Sequence, residues 1–235
     1  MKFSFSWNVY MNNETAILIF ANSAEFDAVQ KPFQSSELLF EALNTKTLKI
    51  VEQTGLPYFL SSEKNQIGAT FGERFTNAIQ WVYNKGFKNV ITIGNDTPHL
   101  QSKHILKAVY QLQQNDIVLG PSKDGGFYLM GLKQSYFNIE TFLKFPWQTS
   151  RLYRSISRLV ISQDINLSYL ELLSDIDQLS DINIVIDSFR NISNHIKQVL
   201  HRFISVEKNV ICTSPSLITI SIQDSHFNKG SPVTF

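Results

Sequence analysis

The sequence of 235 residues contains a single cysteine, Cys212, and this scarcity excludes two kinds of site. One thiol cannot form an internal disulfide or a thiolate cluster for a metal, and we expect a cytoplasmic protein. Cys212 lies in the short apolar segment Asn209–Cys212. We therefore interpret it as a buried structural thiol in preference to a reactive one.

An excess of one charge and long apolar runs are also absent. The 21 Lys and Arg residues nearly balance the 20 Asp and Glu residues, for a formal net charge of +1. A nucleic-acid-binding protein normally shows a basic face or stripe, and we expect no nucleic-acid partner here. No apolar run approaches the ~18 residues of a membrane-spanning helix. Residues 1–10 also lack the basic and apolar regions of a secretion signal.

Several familiar catalytic motifs are missing from the sequence. It contains no Gly-x-Gly-x-x-Gly loop, no Walker loop and no Gly-x-Ser-x-Gly nucleophile elbow. Its five histidines do not show the spacing of zinc ligands. These absences argue against hydrolase chemistry and against a zinc site.

The residues that are present predict a globular α/β protein. Hydrophobic residues make up 43% of the chain and charged residues 17%, and 18 phenylalanines predict prominent aromatic packing. Short apolar runs predict strands at 16–20, 57–60, 90–93, 117–119, 127–132 and 167–173. Amphipathic segments between and after them predict helices at about 36–53, 71–85, 152–160 and 189–203, and one more that runs through Ile105, Val109 and Leu112. This alternation predicts a three-layer αβα domain with a mostly parallel sheet.

The pattern changes near the end of the chain. We expect residues 1–207 to form the α/β domain, followed by a β-rich extension over residues 208–235. The extension would cover the sheet of its own domain, which we favour, or pair with the edge of another subunit in a homodimer.

Acidic residues follow three of the predicted strands. They are Asp96, Asp124 and the pair Asp175 and Asp177. Each fits an ordinary turn or the start of a helix when taken alone, and Asp-Gly at 124–125 is a strong hairpin signal. Ligands of parallel sheets lie beyond the carboxyl ends of the strands, so the acids together predict one crevice. Mg²⁺ or Mn²⁺ could bridge such carboxylates to phosphate oxygens.

Five segments, in order, resemble a known family. They are Thr70–Phe75 (TFGERF), Ile93–Leu100 (IGNDTPHL), Asp116–Leu132 with its Gly-Pro-x-x-Asp-Gly-Gly core, Pro146–Thr149 (PWQT) and Ser174–Asp177 (SDID). Together they resemble the DUF2064 family of bacterial GT-A-like transferases, which have the nucleotide-diphospho-sugar transferase fold. That family is similar to the nucleotidyltransferases that make molybdopterin dinucleotides, phospholactate guanylate and CMP-sugars. The resemblance covers roughly residues 16–182.

The resemblance implies a metal-dependent glycosyl- or nucleotidyltransferase with Mg²⁺ or Mn²⁺ as cofactor. Its partners would be a nucleotide or nucleotide-sugar donor and a small-molecule acceptor. By the resemblance, Asp96 is a catalytic and metal-binding residue, and Asp177 is the second metal ligand, with Asp175 as the alternative. Asp124 would be the second catalytic residue and would orient the acceptor.

The resemblance also implies a set of nucleotide- or substrate-binding residues. These are Arg74, Gly125, Gly126, Trp147 and Thr149. For Trp147, a packed position in a lid is an equal alternative.

The sequence departs from the family pattern after the first strand. The family usually has a Lys-x-Pro-x-x-Gly-x-x-Lys-Thr-Arg-Leu loop there, in which glycine and cations receive phosphates. Here the segment Ala21–Pro32 has no glycine, Lys31 is its only cation, and Glu25 and Asp27 have the wrong sign for a triphosphate. Arg74 and Lys123 could compensate. The alternative function is therefore a degenerate family member that acts as a binding or scaffold module.

Overall fold

The structure is a computed structural model, and it describes residues 14–31, 36–162, 164–177, 179–187, 192, 194 and 196–201. Cys212 and the predicted extension 208–235 lie outside the described residues. The division of the chain at residue 207 therefore stays a prediction.

Six strands form one mixed sheet. They are β1 (Thr15–Phe20), β2 (Tyr58–Ser61), β3 (Asn89–Ile93), β4 (Ile117–Pro121), β5 (Phe127–Lys133) and β6 (Leu167–Tyr169). Their order across the sheet is β2-β1-β3-β5-β4-β6. Strand β5 runs antiparallel to β3 and β4, whereas the other neighbouring pairs are parallel. The predicted fold class, a mostly parallel sheet within an α/β domain, is confirmed.

Seven α-helices can be delimited within the described residues. They are α1 (Ala24–Gln30), α2 (Ser36–Glu52), α3 (Phe71–Tyr83), α4 (Ser102–Gln111), α5 (Ile139–Leu143), α6 (Leu152–Ser162) and α7 (Leu179–Asp187), and a 3-10 turn spans Gln134–Tyr136. Helix α3 begins with a reciprocal capping box between Thr70 and Glu73. Gly55 and Gly86, with φ of 68° and 96°, follow the ends of α2 and α3. Residues 196–201 of the predicted late helix are helical.

Helices cover both faces of the sheet. Alternate residues of the strands point to opposite faces, so Ile17 and Ile91 belong to one core cluster while Leu18 and Val90 belong to the other. Helices α2 and α4 pack on the first face, and α3, α5 and α6 pack on the second. Burial on both faces explains why β1 and β3 read as continuous apolar runs.

The strand predicted at 167–173 is shorter in the structure. Strand β6 ends at Tyr169, and Leu173 then makes only an isolated bridge with Ser122. Leu170 and Leu173 are buried, whereas the two residues between them are exposed. This spacing breaks the two-residue alternation of a strand, so the chain leaves the sheet after Tyr169.

The helices of the described residues differ from membrane spans. None of them combines the length and the apolar character that crossing a bilayer requires.

Candidate functional site

The turn after β3 is joined to the segment that leads into α7. The backbone N–H of Ile176 donates to the carbonyl oxygen of Asp96 at 2.9 Å. The Thr97 hydroxyl donates to Oδ1 of Asp175 at 2.6 Å, and both side chains are buried. These bonds place Asp96 and Asp177 beside each other at the carboxyl edge of the sheet. Asp175, the alternative ligand predicted from the sequence, accepts a hydrogen bond from Thr97 instead.

Lys31 stands between these two aspartates. Its ammonium nitrogen lies 2.8 Å from Oδ1 of Asp177 and 3.4 Å from Oδ2 of Asp96, and it donates to the Ile176 carbonyl at 3.1 Å. The same nitrogen lies 5.3 Å from the centroid of the Phe40 ring. The ammonium therefore neutralises part of the charge of the acidic pair, in a place where only about a fifth of the Lys31 side chain is exposed (19%).

A short helix brings Lys31 to this position. Helix α1 occupies most of the segment 21–32, for which the sequence indicated only a changed phosphate loop. Ser23 caps its first turn by accepting from the N–H of Phe26, and the Lys31 N–H donates to the Asp27 carbonyl at 2.8 Å. A capping serine before Ala24 was the available sequence signal for this helix.

Asp27 points into the protein and not into the crevice. Its carboxylate accepts one hydrogen bond from Asn22 and one from Asn95, both at 2.9 Å, and the Asn95 amide also donates to Asn44 at 2.8 Å. Burial raises the pKa of the Asp27 carboxyl, although the bonds from Asn95 and Asn22 act in the opposite direction. The sequence-based argument that Asp27 repels a phosphate is therefore weakened, because its oxygens face asparagine amides.

A pocket of about 220 Å³ opens beside the acidic pair. Its lining residues are Lys123, Asp124, Ser174, Asp175, Asp177, Asp181 and Ile184. The structure thus brings Asp124 to the same pocket as Asp177, although the two residues lie on different turns. Sequence reasoning missed Asp181, whose carboxylate accepts from the Asp177 N–H at 2.9 Å. An acidic residue in the first turn of α7 was the signal that could have found it.

Asp124 lies in the tight turn between β4 and β5. The N–H of Gly125, which has φ of 89°, donates to the Ser122 carbonyl at 3.1 Å, so the hairpin interpretation of this Asp-Gly sequence is correct. One oxygen of Asp124 is hydrogen-bonded to the Ser122 hydroxyl and accepts from the Gly126 N–H. These bonds fix the orientation of the carboxylate at the pocket.

The segment 147–150 packs against this turn and against α3. A Cβ on Gly125 would stand 3.1 Å from Cα of Ser150, and one on Gly72 would stand 2.5 Å from Cδ1 of Trp147. The Trp147 ring contacts five phenylalanine rings, and its indole N–H donates to the Phe142 carbonyl at 2.6 Å. Trp147 therefore packs in an aromatic cluster at the edge of the site.

Two further predicted binding residues make local hydrogen bonds. The Thr149 hydroxyl donates to the Pro146 carbonyl at 2.8 Å. The Arg74 guanidinium donates to the Ala69 carbonyl at 3.1 Å, and Arg74 is not among the residues that line the pocket. The predicted roles of Arg74, Trp147 and Thr149 in substrate binding stay predictions.

The residues beside the pocket fit a monovalent ammonium better than a divalent metal ion. Asp96 and Asp177 converge as the sequence predicts for two metal ligands, but Lys31 lies between them. Among the described residues, no cluster of three or more His, Cys, Asp or Glu side chains is arranged to hold a metal. A divalent ion that used both carboxylates would have to take the position that the Lys31 ammonium occupies between them.

The three-layer arrangement and sheet order define the nucleotide-diphospho-sugar transferase fold. The structure is similar to that of a proposed nucleotide-diphospho-sugar transferase from Desulfovibrio desulfuricans G20, with a TM-score of 0.69 and 20% sequence identity. The likeness covers 85% of this chain and 97% of that protein. At this identity the comparison shows a shared fold.

Residues 42–149 match the family described as "Uncharacterized protein conserved in bacteria (DUF2064)". With the shared fold, this match confirms the resemblance to the DUF2064 family that the sequence motifs indicate. Lys31 and Asp177 lie outside the matched residues. No curated protein matches the chain.

Two more distant structures are similar over most of their length. One is the 4-diphosphocytidyl-2C-methyl-D-erythritol synthase from Anaerococcus prevotii DSM 20548, with a TM-score of 0.47 and 11% identity over 81% of this chain and 98% of that one. The other is a cytidylyltransferase from Leptospira borgpetersenii serovar Hardjo-bovis (strain JB197), with a TM-score of 0.43 and 14% identity over 88% and 99%. Both are too distant to carry an argument about this chain.

Proposed function

We propose that the protein is a transferase that acts on a nucleotide-activated donor, by nucleotidyl or glycosyl transfer. The observation that carries this proposal is that Asp177, which shares the Lys31 ammonium with Asp96, lines the same pocket as Asp124. The three aspartates lie beyond the carboxyl ends of β3, β4 and β6, where α/β sheets bind their ligands. The resemblance to GT-A-like transferases supports a phosphate-bearing donor.

In this proposal the donor diphosphate lies beside Lys31, and the acceptor enters the pocket next to Asp124. Asp124 would accept a hydrogen bond from the acceptor hydroxyl, since Ser122 and Gly126 already hold its carboxylate in place. Catalysis would come from positioning the two substrates and from stabilising charge on the leaving group. For stabilising the charge on the leaving group, the sequence predicts Mg²⁺ or Mn²⁺. In this proposal the Lys31 ammonium, which lies between Asp96 and Asp177, supplies the positive charge instead.

A second candidate function is a binding or scaffold module without turnover. Helix α1 favours it, because this helix occupies the segment where the family pattern has a glycine-containing phosphate loop. The ion pairs of Lys31 favour it as well, since they already satisfy part of the acidic pair without a ligand.

Ligand-induced thermal stabilisation would separate the two functions. Purified protein is screened against nucleoside triphosphates and nucleotide sugars, each with Mg²⁺, with Mn²⁺ and with EDTA. A ligand that binds only the folded state at a hundredfold excess over its dissociation constant adds about 2.7 kcal/mol of stability. We expect one class of nucleotide to raise the melting temperature.

Variants of the acidic residues then test the site. The double variant Asp96→Asn, Asp177→Asn should lose the nucleotide-dependent shift, and Asp124→Asn should keep it while losing transfer to the acceptor. Glu140→Gln, an exposed carboxylate of α5, is the matched control and should behave as the wild type. If no nucleotide stabilises the wild type, the donor assignment is wrong and the binding-module function is favoured.

A further inference from the structure

We propose that Lys31 is the resident cation of this site, so that the protein binds its phosphate-bearing ligand without a divalent metal ion. The part of this inference that concerns the ligand rests on the proposed function. The part that concerns metal binding by the protein alone does not.

The first argument is the coordination of the ammonium. The Lys31 ammonium donates to Oδ2 of Asp96 and to the Ile176 carbonyl, and it forms an ion pair with Oδ1 of Asp177 at 2.8 Å. The Phe40 ring adds a contact by its aromatic face. Two carboxylates from different parts of the chain therefore share one positive charge.

The second argument is that the fold fixes the position of Lys31. The backbone N–H of Lys31 donates to the Asp27 carbonyl at the end of α1. The Asp27 carboxylate in turn accepts a hydrogen bond from the side chain of Asn95, which precedes Asp96 in the turn after β3. The helix that presents the cation is thus attached to the turn that presents one of its partners. A surface lysine that samples many rotamers would lack this attachment.

The third argument is electrostatic. A divalent ion that bound Asp96 and Asp177 at metal–oxygen distances would have to displace the Lys31 ammonium from between them. The lysine charge would then remain close to the metal ion in a partly buried place, where like charges repel strongly. Removing the lysine charge should reverse this preference, because two adjacent carboxylates without a cation favour metal binding.

Together with Lys123, Lys31 gives the site a phosphate-binding character that its acidic residues alone would not have. Lys123 lines the pocket that Asp124 and Asp177 also line, and the Lys31 ammonium is paired with Asp177. Ammonium groups bind phosphate oxygens as point charges and need no fixed coordination geometry. The ligand class that fits is a nucleoside diphosphate or triphosphate, with or without an attached sugar.

Mn²⁺ binding to the full-length protein, followed by electron paramagnetic resonance without nucleotide, tests the metal part directly. We expect no stoichiometric Mn²⁺ binding to the wild type or to Lys31→Arg at micromolar concentration. Lys31→Met should bind one Mn²⁺ at least tenfold more tightly, and Asp177→Asn in that background should abolish the gain. Lys49→Met, an exposed lysine of α2, is the matched control and should resemble the wild type.

One Mn²⁺ bound as tightly by the wild type as by Lys31→Met would overturn the inference. Circular dichroism of each variant checks its folding. If Lys31→Met does not fold, the wild-type titration still decides, because a stoichiometric ion bound at micromolar concentration contradicts a resident lysine cation.

A nucleotide titration separates this inference from the proposed function. Equal nucleotide affinity in EDTA and in Mn²⁺ supports a lysine cation, and Lys31→Met should then lose at least tenfold in affinity. Affinity that depends on Mn²⁺ overturns the inference but leaves the transferase proposal in place. Failure of every nucleotide to bind overturns the proposed function, while the Mn²⁺ titration continues to test the role of Lys31.

Discussion

At the scale of single residues, Asp27 is an acid whose surroundings change the role that its charge suggests. Its carboxylate is buried against the amides of Asn22 and Asn95, and burial raises its pKa above the ordinary value of 3.8. An acid whose pKa is higher in the folded state stabilises the fold fully below the unfolded pKa. That contribution is lost as the pH rises through the folded pKa, because the unfolded chain ionises more easily.

We therefore expect Asp27→Asn to change the pH dependence of stability. As the pH rises from the ordinary pKa of 3.8 through the raised pKa of the folded state, the free energy of unfolding of the variant should rise relative to that of the wild type, since the variant has no carboxyl to ionise at this position. The difference in stability between Asp27→Asn and the wild type at low pH is a separate quantity. It depends on how the new side-chain amide packs against the Asn22 and Asn95 amides, which both donate to Asp27. Urea unfolding at several pH values measures both.

The control for this prediction is a carboxylate of the protein that is exposed to solvent. Glu41→Gln removes an exposed carboxylate of α2 and should leave the pH dependence close to that of the wild type. Parallel curves of stability against pH for Asp27→Asn and the wild type above pH 3.8 would show that Asp27 has the same pKa in the folded and the unfolded protein.

Lys31 shows what sequence reasoning reached at this scale and what it missed. The sequence identified Lys31 as the only cation of its segment, and the acids Asp96 and Asp177 as a pair. It gave no reason to place the lysine between them, because that position depends on α1. Propensity cannot place a seven-residue helix reliably, since so short a helix owes its stability mainly to tertiary contacts.

At the scale of elements, the hairpin of β4 and β5 depends on a close contact between a glycine and a ring. A Cβ on Gly120 would stand 2.5 Å from Cζ of Tyr128, so the ring lies directly over the strand. The Tyr128 hydroxyl donates to the Glu171 carbonyl at 3.0 Å, just after β6. This contact links the hairpin to the segment that carries Asp175 and Asp177.

Gly120→Ala should therefore destabilise the protein by about 1–3 kcal/mol, the usual cost of overpacking a core. The reason is that the Tyr128 ring must move and weaken its bond to Glu171. Chemical denaturation measures the loss.

Replacing Tyr128 by a smaller residue tests whether its ring is what the new methyl group at position 120 would contact. In a Tyr128→Leu background, Gly120→Ala should cost clearly less than it costs alone, since the ring that it meets is gone. If Gly120→Ala lowers the free energy of unfolding equally in the two backgrounds, the Tyr128 ring is not the reason why position 120 requires glycine.

The elements that the sequence predicted well are those with strong, regular patterns. Strands β1 and β3 and helices α2, α3, α4 and α6 lie close to their predicted ranges, because each carries a continuous apolar run or an apolar stripe. The five-residue helix α5 was missed, since it is too short to show a periodic pattern. The end of β6 was misplaced because buried leucines at 170 and 173 imitate a longer apolar strand.

At the scale of the whole molecule, a third core cluster connects the site to the last described part of the chain. It joins α2 to α7 and to the helical residues near 200, and its members include Leu39, Phe40, Ile176, Ile196 and Leu200. Phe40 contacts the Lys31 ammonium, and the Ile176 carbonyl accepts a hydrogen bond from it. The packing of Ile192, Ile196 and Leu200 in this cluster therefore supports the two residues that contact Lys31.

This connection predicts that the late helical residues belong to the same cooperative unit as the sheet. Ile196 is fully buried in the third cluster, so Ile196→Ala should lower the free energy of unfolding by about 2–5 kcal/mol through lost burial and a residual cavity. Unfolding should remain a single transition, with coincident loss of far-ultraviolet circular dichroism and tryptophan fluorescence. Lys197→Ala, one position along and exposed, should change stability by no more than about 0.5 kcal/mol. An early, separate transition in Ile196→Ala that spares the sheet would instead show that the helical residues 196–201 unfold independently, and the third cluster would then not support the site.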